Sequence, residues 1–79
     1  MSKKYEFNPK MYQTVAQNIR RIRKEKGMSL EELSKYAELK QEFLQKFELA
    51  NTDMTISIYD LYKISVILDT SIDQFFIEK

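Results

Sequence analysis

The sequence predicts an all-α fold, a compact bundle of five helices around one core. One glycine and one proline in 79 residues leave little material for hairpin turns. Apolar residues recur at spacings of three and four rather than two. A chain of this length holds at most one domain and buries a modest share of its surface, so its stability must come from efficient local structure.

The first helix opens at "NPKMY", where Asn8 can cap free amides, Pro9 suits the first helical position and Phe7 can staple onto Tyr12. It runs to about Lys26, and Gly27 supplies a left-handed stop after a turn rich in lysine and arginine. "SLEE", Ser29 to Glu32, is a capping box that starts a short second helix. Three residues, Ala37 to Leu39, then separate it from a third helix, which is the spacing of a helix-turn-helix. That third helix starts at Lys40 without a capping hydroxyl, so docking through Leu39, Leu44 and Phe47 must order it. "ANTDMTIS" reads as a surface loop of about eight residues. A fourth helix starts at Ser57 with Asp60 near its amides, and a fifth at "SIDQ", where Ser71 and Gln74 form another capping box. Ile22, Leu33, Leu44, Phe47, Ile58, Leu61, Ile64, Leu68, Ile72 and Phe75 make a single core.

No cysteine and no histidine means no disulfide, no thiolate or imidazole metal site and no nucleophile–histidine pair. We therefore expect no enzyme, no cofactor, no metal and no small-molecule substrate. The apolar runs are short and broken by charge, which predicts no membrane segment and no signal peptide, hence a cytoplasmic protein. A net charge of +1 gives no overall basic excess, so any nucleic-acid footprint must be local.

From Ile19 to about Phe75 the chain reads "IRRIRKEKGMSLEELS", "AEL", "LQKFE" and "LYKISVILDTSIDQFF". On these stretches it resembles the lambda-repressor-like, Cro-type helix-turn-helix family. The most specific part of the resemblance is R-x-x-K-G-x-S-x-E-E-L followed by a glutamate that closes the third helix. With the first helix starting at Pro9, the chain divides into an N-terminal tail over residues 1–8 and a domain over 9–79, which the resemblance makes a helix-turn-helix DNA-binding domain. The resemblance also implies operator binding, usually as a dimer, with the third helix in the major groove. In the family the arginine matching Arg23 is buried against the glutamate matching Glu48, which makes these two a structural ion pair.

The chain departs from the family pattern in four places. Leu30 replaces a glutamine that commonly touches DNA, Lys40 stands where a small hydroxylated residue is usual, Phe43 stands where a polar residue is usual, and "LANTDMT" contains no base where phosphate-clamping residues are common.

Helix three, "KQEFLQKFE", is neutral, yet a reading helix need not be basic: phosphate contacts supply affinity and polar groups at base edges supply specificity. Gln41, Glu42, Gln45 and Lys46 are the candidate base readers, with glutamine suited to adenine, lysine to guanine and glutamate to the cytosine amino group. Glu42 and Lys46 also stand four apart in the order that favours a mutual ion pair. Lys35, Lys40 and Asn51 are the candidate phosphate contacts, helped by free amides at helix starts. In "RRIRKEK", five basic residues in seven spread round a helix, so not all can face one duplex. Lys3 and Lys4 read as part of a disordered tail. Val66, Phe76 and Ile77 are apolar residues left over from the core, and a homodimer through helix five is the expected use for them.

The reading is a transcriptional regulator on double-stranded DNA, a repressor acting by operator occupancy. A helix-turn-helix that has exchanged DNA for a protein partner, such as an antirepressor or antitoxin, is the other class the departures allow.

Overall fold

The computed structural model describes residues 10–49 and 54–78. Among them run four α-helices, α1 (Met11–Glu25), α2 (Leu30–Tyr36), α3 (Gln41–Glu48) and α4 (Ile58–Ile67), followed by a 3₁₀ turn, Ile72–Phe76. The expected caps of the first helix, Asn8 and Pro9 with the Phe7 staple, lie outside the described residues.

Val15, Ala16, Ile19 and Ile22 recur at helical spacing and bury one face of α1. Gly27 stops that helix at φ +69°, and its amide and that of Met28 return to the carbonyls of Lys24 and Arg23, both at 3.0 Å. This is a Schellman closure, in which a left-handed residue lets two amides satisfy two orphan carbonyls.

Ser29 caps α2 as its sequence requires. Its hydroxyl accepts from the Glu32 amide and its own amide donates to the Glu32 carboxylate, both at 3.0 Å. The Ser29 amide, and after it the Ser29 hydroxyl, hold the Glu32 carboxyl below its ordinary 4.5. A lowered folded-state pKa means that this box contributes above the ordinary value and fades as pH falls through the lowered one.

Ser57 caps α4 in the same way, accepting from the Asp60 amide at 3.1 Å. The cap also settles which isoleucine is inside. Ile56, just before the cap, and Leu61, four positions after it, are both buried, the positions that a hydrophobic staple uses. Ile58 is 69% exposed rather than in the core: it stands at the open first turn of α4, at the margin of the arc of Leu61, Ile64, Ser65 and Leu68, and Ile56 rather than Ile58 is buried there.

The fifth element is a correction. Instead of an α-helix there is a five-residue 3₁₀ turn, and the Ser71 side chain makes no cap, so the expected Ser71–Gln74 box does not form. The Gln74 amide reaches only the Ser71 carbonyl, at 3.1 Å. A segment this short, with Ile72, Phe75 and Phe76 limiting its rotamers, does not repay helix nucleation. Asn18 of α1 takes over its ordering: the buried amide nitrogen donates to the carbonyls of Phe75 and Ile77, each at 2.8 Å. Phe75 is fully buried as a result, and Ile72 is half-buried against the core. Val15, Ala16, Ile19, Ala37 and Ile56 complete the core alongside the residues expected there.

Candidate nucleic-acid interface

α2 ends in a second Schellman closure, this time without glycine. Glu38 takes φ +57°, its amide reaches the Lys35 carbonyl at 3.3 Å, and the Leu39 amide reaches Ser34 at 2.9 Å. Lys40 follows in extended conformation and leads into α3 with no side-chain cap, so the amides of the first turn of α3 stay open on that side.

The inner arc of α3 is Leu44, Phe47 and Glu48, all buried. Phe43, half-buried, folds back so that its ring stacks on Phe47 with centroids 6.0 Å apart. Arg23 fixes the far end: its Nε and Nη2 donate to the two Glu48 oxygens at 2.9 and 2.8 Å, and its Nη1 donates to the Met28 carbonyl at 2.9 Å. One guanidinium thus ties together α1, the loop after it and α3, in the fork geometry only arginine offers.

The outer arc carries Gln41, Glu42, Gln45 and Lys46, all exposed. The four candidate readers therefore share one face of one rigidly docked helix. Glu42 and Lys46 meet there, with Nζ 3.0 Å from Oε1. Lys35 and Lys40 are exposed on either side of the turn, with no ion-pair partner among the described residues. Asn51 lies outside the described residues. Val66, Phe76 and Ile77 are exposed, but on two elements: Val66 on α4, the other two at and just beyond the end of the 3₁₀ turn.

Two features escaped sequence reasoning. Asn18 sits in the apolar stripe of α1 between Val15 and Ile22, and a polar residue in such a stripe was the available signal. Leu49, 58% exposed, closes α3 and continues the outer line of Glu42 and Gln45, one turn after Gln45.

The helix-turn-helix family model matches residues 19–75. The chain belongs to that family. Its α2, turn and α3 are the helix-turn-helix, and α3, docked through its inner arc, is the second helix of that motif. One similar structure is SinR of Bacillus subtilis, the master regulator for biofilm formation, in complex with DNA. It is 36% identical, with TM-score 0.73, over 80% of this chain and 98% of that chain. In the SinR/SinI complex the identity is again 36% and the TM-score 0.73, over 81% of this chain and 61% of the matched chain. The restriction-modification controller protein C.AhdI from Aeromonas hydrophila, 23% identical with TM-score 0.74 over 82% of this chain and 96% of that one, shares the fold. A search of curated protein sequences gives no match. Among the described residues no helix is long and apolar enough to cross a membrane, and no three metal-ligating side chains cluster.

Proposed function

We propose that this DNA-binding transcriptional regulator is a sequence-specific repressor that acts by occupying an operator, without catalysing a reaction, in the cytoplasm. The observation that carries the reading is the division of α3: an inner arc locked by Arg23–Glu48 and an outer arc of exposed polar side chains. A reader must hold its contacts in fixed geometry, and docking through a buried fork supplies that. The 36% identity to SinR in complex with DNA supports the same reading.

In the proposed complex Gln41 and Gln45 meet base edges, Lys46 and Glu42 leave their mutual pair to do so, and Lys35 and Lys40, with Asn51, take phosphates. The uncapped amides at the start of α3 add an anion-compatible end. A homodimer would double these contacts and set two reading helices about 34 Å apart on a palindromic site. Val66, Phe76 and Ile77 are the proposed contact. Asn18 orders the segment that carries the last two through the carbonyls of Phe75 and Ile77, and Ile58, Tyr59 and Tyr62 extend the exposed apolar surface around Val66 along α4.

That apolar face also favours the second reading, a protein-interaction module, because a helix apolar on both sides asks for a partner. Selection from random duplexes at moderate salt separates the two. A preferred operator is expected. On it Gln41→Ala loses about 1–3 kcal/mol and little on random DNA, while Lys40→Ala weakens all duplexes alike. No enrichment, or no effect of either variant on the selected operator, turns the assignment to the protein partner. Sedimentation at tens of micromolar and on excess duplex tests the dimer, which single copies in both conditions would refute.

A further inference from the structure

An open groove of about 320 Å³ runs beside the carboxyl end of α3, lined by Gln17, Arg20, Arg21 and Lys24 of α1 and by Glu48 and Leu49. Its charges are unevenly committed. Glu48 has both oxygens taken by Arg23, and Arg21 is held by Glu25 at 3.4 Å and by the Asn18 side-chain oxygen at 3.2 Å. Arg20 and Lys24 are exposed, one helical turn apart, and make no ion pair among the described residues. The groove is therefore positive in effect although a carboxylate lines it.

Its position links it to the reading face. Leu49 lines the groove and lies on the outer arc of α3 in line with Glu42 and Gln45. A strand that follows the outer arc toward the end of α3 thus arrives beside Arg20 and Lys24. The sequence that follows α3, residues 49–57, contains neither lysine nor arginine, so it brings no cation to that strand. On α1 two side chains at i and i+4 stand about 5–6 Å apart at Cβ, close enough to engage neighbouring phosphates of one strand.

We infer that Arg20 and Lys24 are a phosphate clamp on the DNA backbone at the carboxyl end of α3, supplying the charge that residues 49–57 lack. The inference rests on the DNA reading proposed above and adds two residues on α1 to it. Lys26, exposed at the residue that closes α1 but outside the groove, is the internal control.

The test is the salt dependence of binding to a selected operator. Each phosphate contact contributes close to one unit of log–log slope, so Arg20→Ala/Lys24→Ala should lower the slope by about two, and Lys26→Ala should not. Contact is separated from general charge by duplexes carrying a neutral methylphosphonate at single positions along the site edge. One or two such substitutions should weaken the unaltered protein and have no further effect on the double variant. The unaltered slope in the double variant, a fall equal to that of Lys26→Ala, or methylphosphonate effects that persist in the double variant each overturn the clamp while operator binding stands. Unaltered protein that binds no duplex overturns both the clamp and the DNA reading. A melting curve confirms that the double variant is folded, and Arg20→Lys, which keeps the charge, should recover most of its share of the slope.

Discussion

α3 carries two ion pairs on opposite faces, alike in chemistry and different in surroundings. Glu48 faces inward, both of its oxygens held by one guanidinium, with side-chain exposures of 10% for Arg23 and 7% for Glu48. Glu42 faces outward, held by Lys46 at 3.0 Å, with exposures of 77% and 59%. Inside, losing one partner strands a charge where water cannot reach it; outside, water replaces whichever partner leaves. One helix can therefore be rigid in position and free in contact, which is what a reading element needs. The inner face determines where the helix sits, and the outer face what it can touch.

The largest expected effect breaks the inner side of that contrast. Arg23→Ala removes a buried partner and should cost about 3–5 kcal/mol, a large share of a small domain's stability. Arg20→Ala, three residues earlier but exposed, should stay within about 0.5 kcal/mol. Denaturant or thermal unfolding of the two variants checks this, and equal midpoints would show that the pair does not anchor α3.

Asn18 extends the inner principle to an uncharged group. Its amide nitrogen satisfies two carbonyls, those of Phe75 and Ile77, from a side chain that is 4% exposed. Asn18→Ala should cost about 1–3 kcal/mol, since it leaves buried acceptors unmet. Asn18→Asp, which keeps the shape and removes the donor, should do no better. Unfolding midpoints near that of the unaltered protein would mean that the end of the chain is ordered without Asn18.

These two residues also measure what the sequence disclosed. The hydroxyls of Ser29 and Ser57 and the glycine at 27 act through their own neighbours, so short motifs predicted them. The Arg23–Glu48 pair spans 25 positions and came only through the family resemblance, because no local rule pairs residues so far apart. Asn18 binds 57 and 59 positions away and had no such guide. The same distance explains the misread fifth helix: "SIDQ" carries a local start signal, but tertiary contacts from α1 and the burial of Phe75 determine its backbone. Ile58 was misplaced because counting apolar residues at helical spacing does not reveal which of two isoleucines flanking a cap faces in. The polar outer arc of α3 was legible, since its inner residues fix the phase of the helix.

The turn between α2 and α3 offers a gain rather than a loss. Glu38 holds φ +57°, a conformation that costs a side chain with a Cβ and costs glycine little. Glu38→Gly should stabilise the fold by about 0.5–1 kcal/mol, the relief of strain outweighing the added freedom of the unfolded chain. Asp69→Gly, at φ +51° after α4, should gain less, because aspartate tolerates this region better. Neither side chain is on the outer arc of α3, so operator preference should not move. A loss of stability in Glu38→Gly would mean that the carboxylate has a role that its backbone geometry does not reveal.

The smallest effect belongs to the outer pair, and it is where the contrast can be made sharpest. A solvent-exposed glutamate and lysine at i and i+4 couple by only about 0.3–0.5 kcal/mol, and salt screens even that. A double-mutant cycle with Glu42→Gln and Lys46→Met should return a coupling of this size, shrinking as salt is raised. On DNA the same substitution should have a different consequence. Removing the Glu42 charge takes a negative group from beside the phosphates and frees the Lys46 ammonium, so Glu42→Gln should strengthen binding to random duplex while shifting preference at one base pair. The two measurements together decide what the outer pair is for. Weak coupling with altered DNA preference means that the pair is a resting arrangement of two readers, broken at little cost when bases are offered. A coupling of 2 kcal/mol or more, on the order of a buried pair, with unchanged preference would mean that the outer arc is held as firmly as the inner one, and the division of labour along α3 would fail.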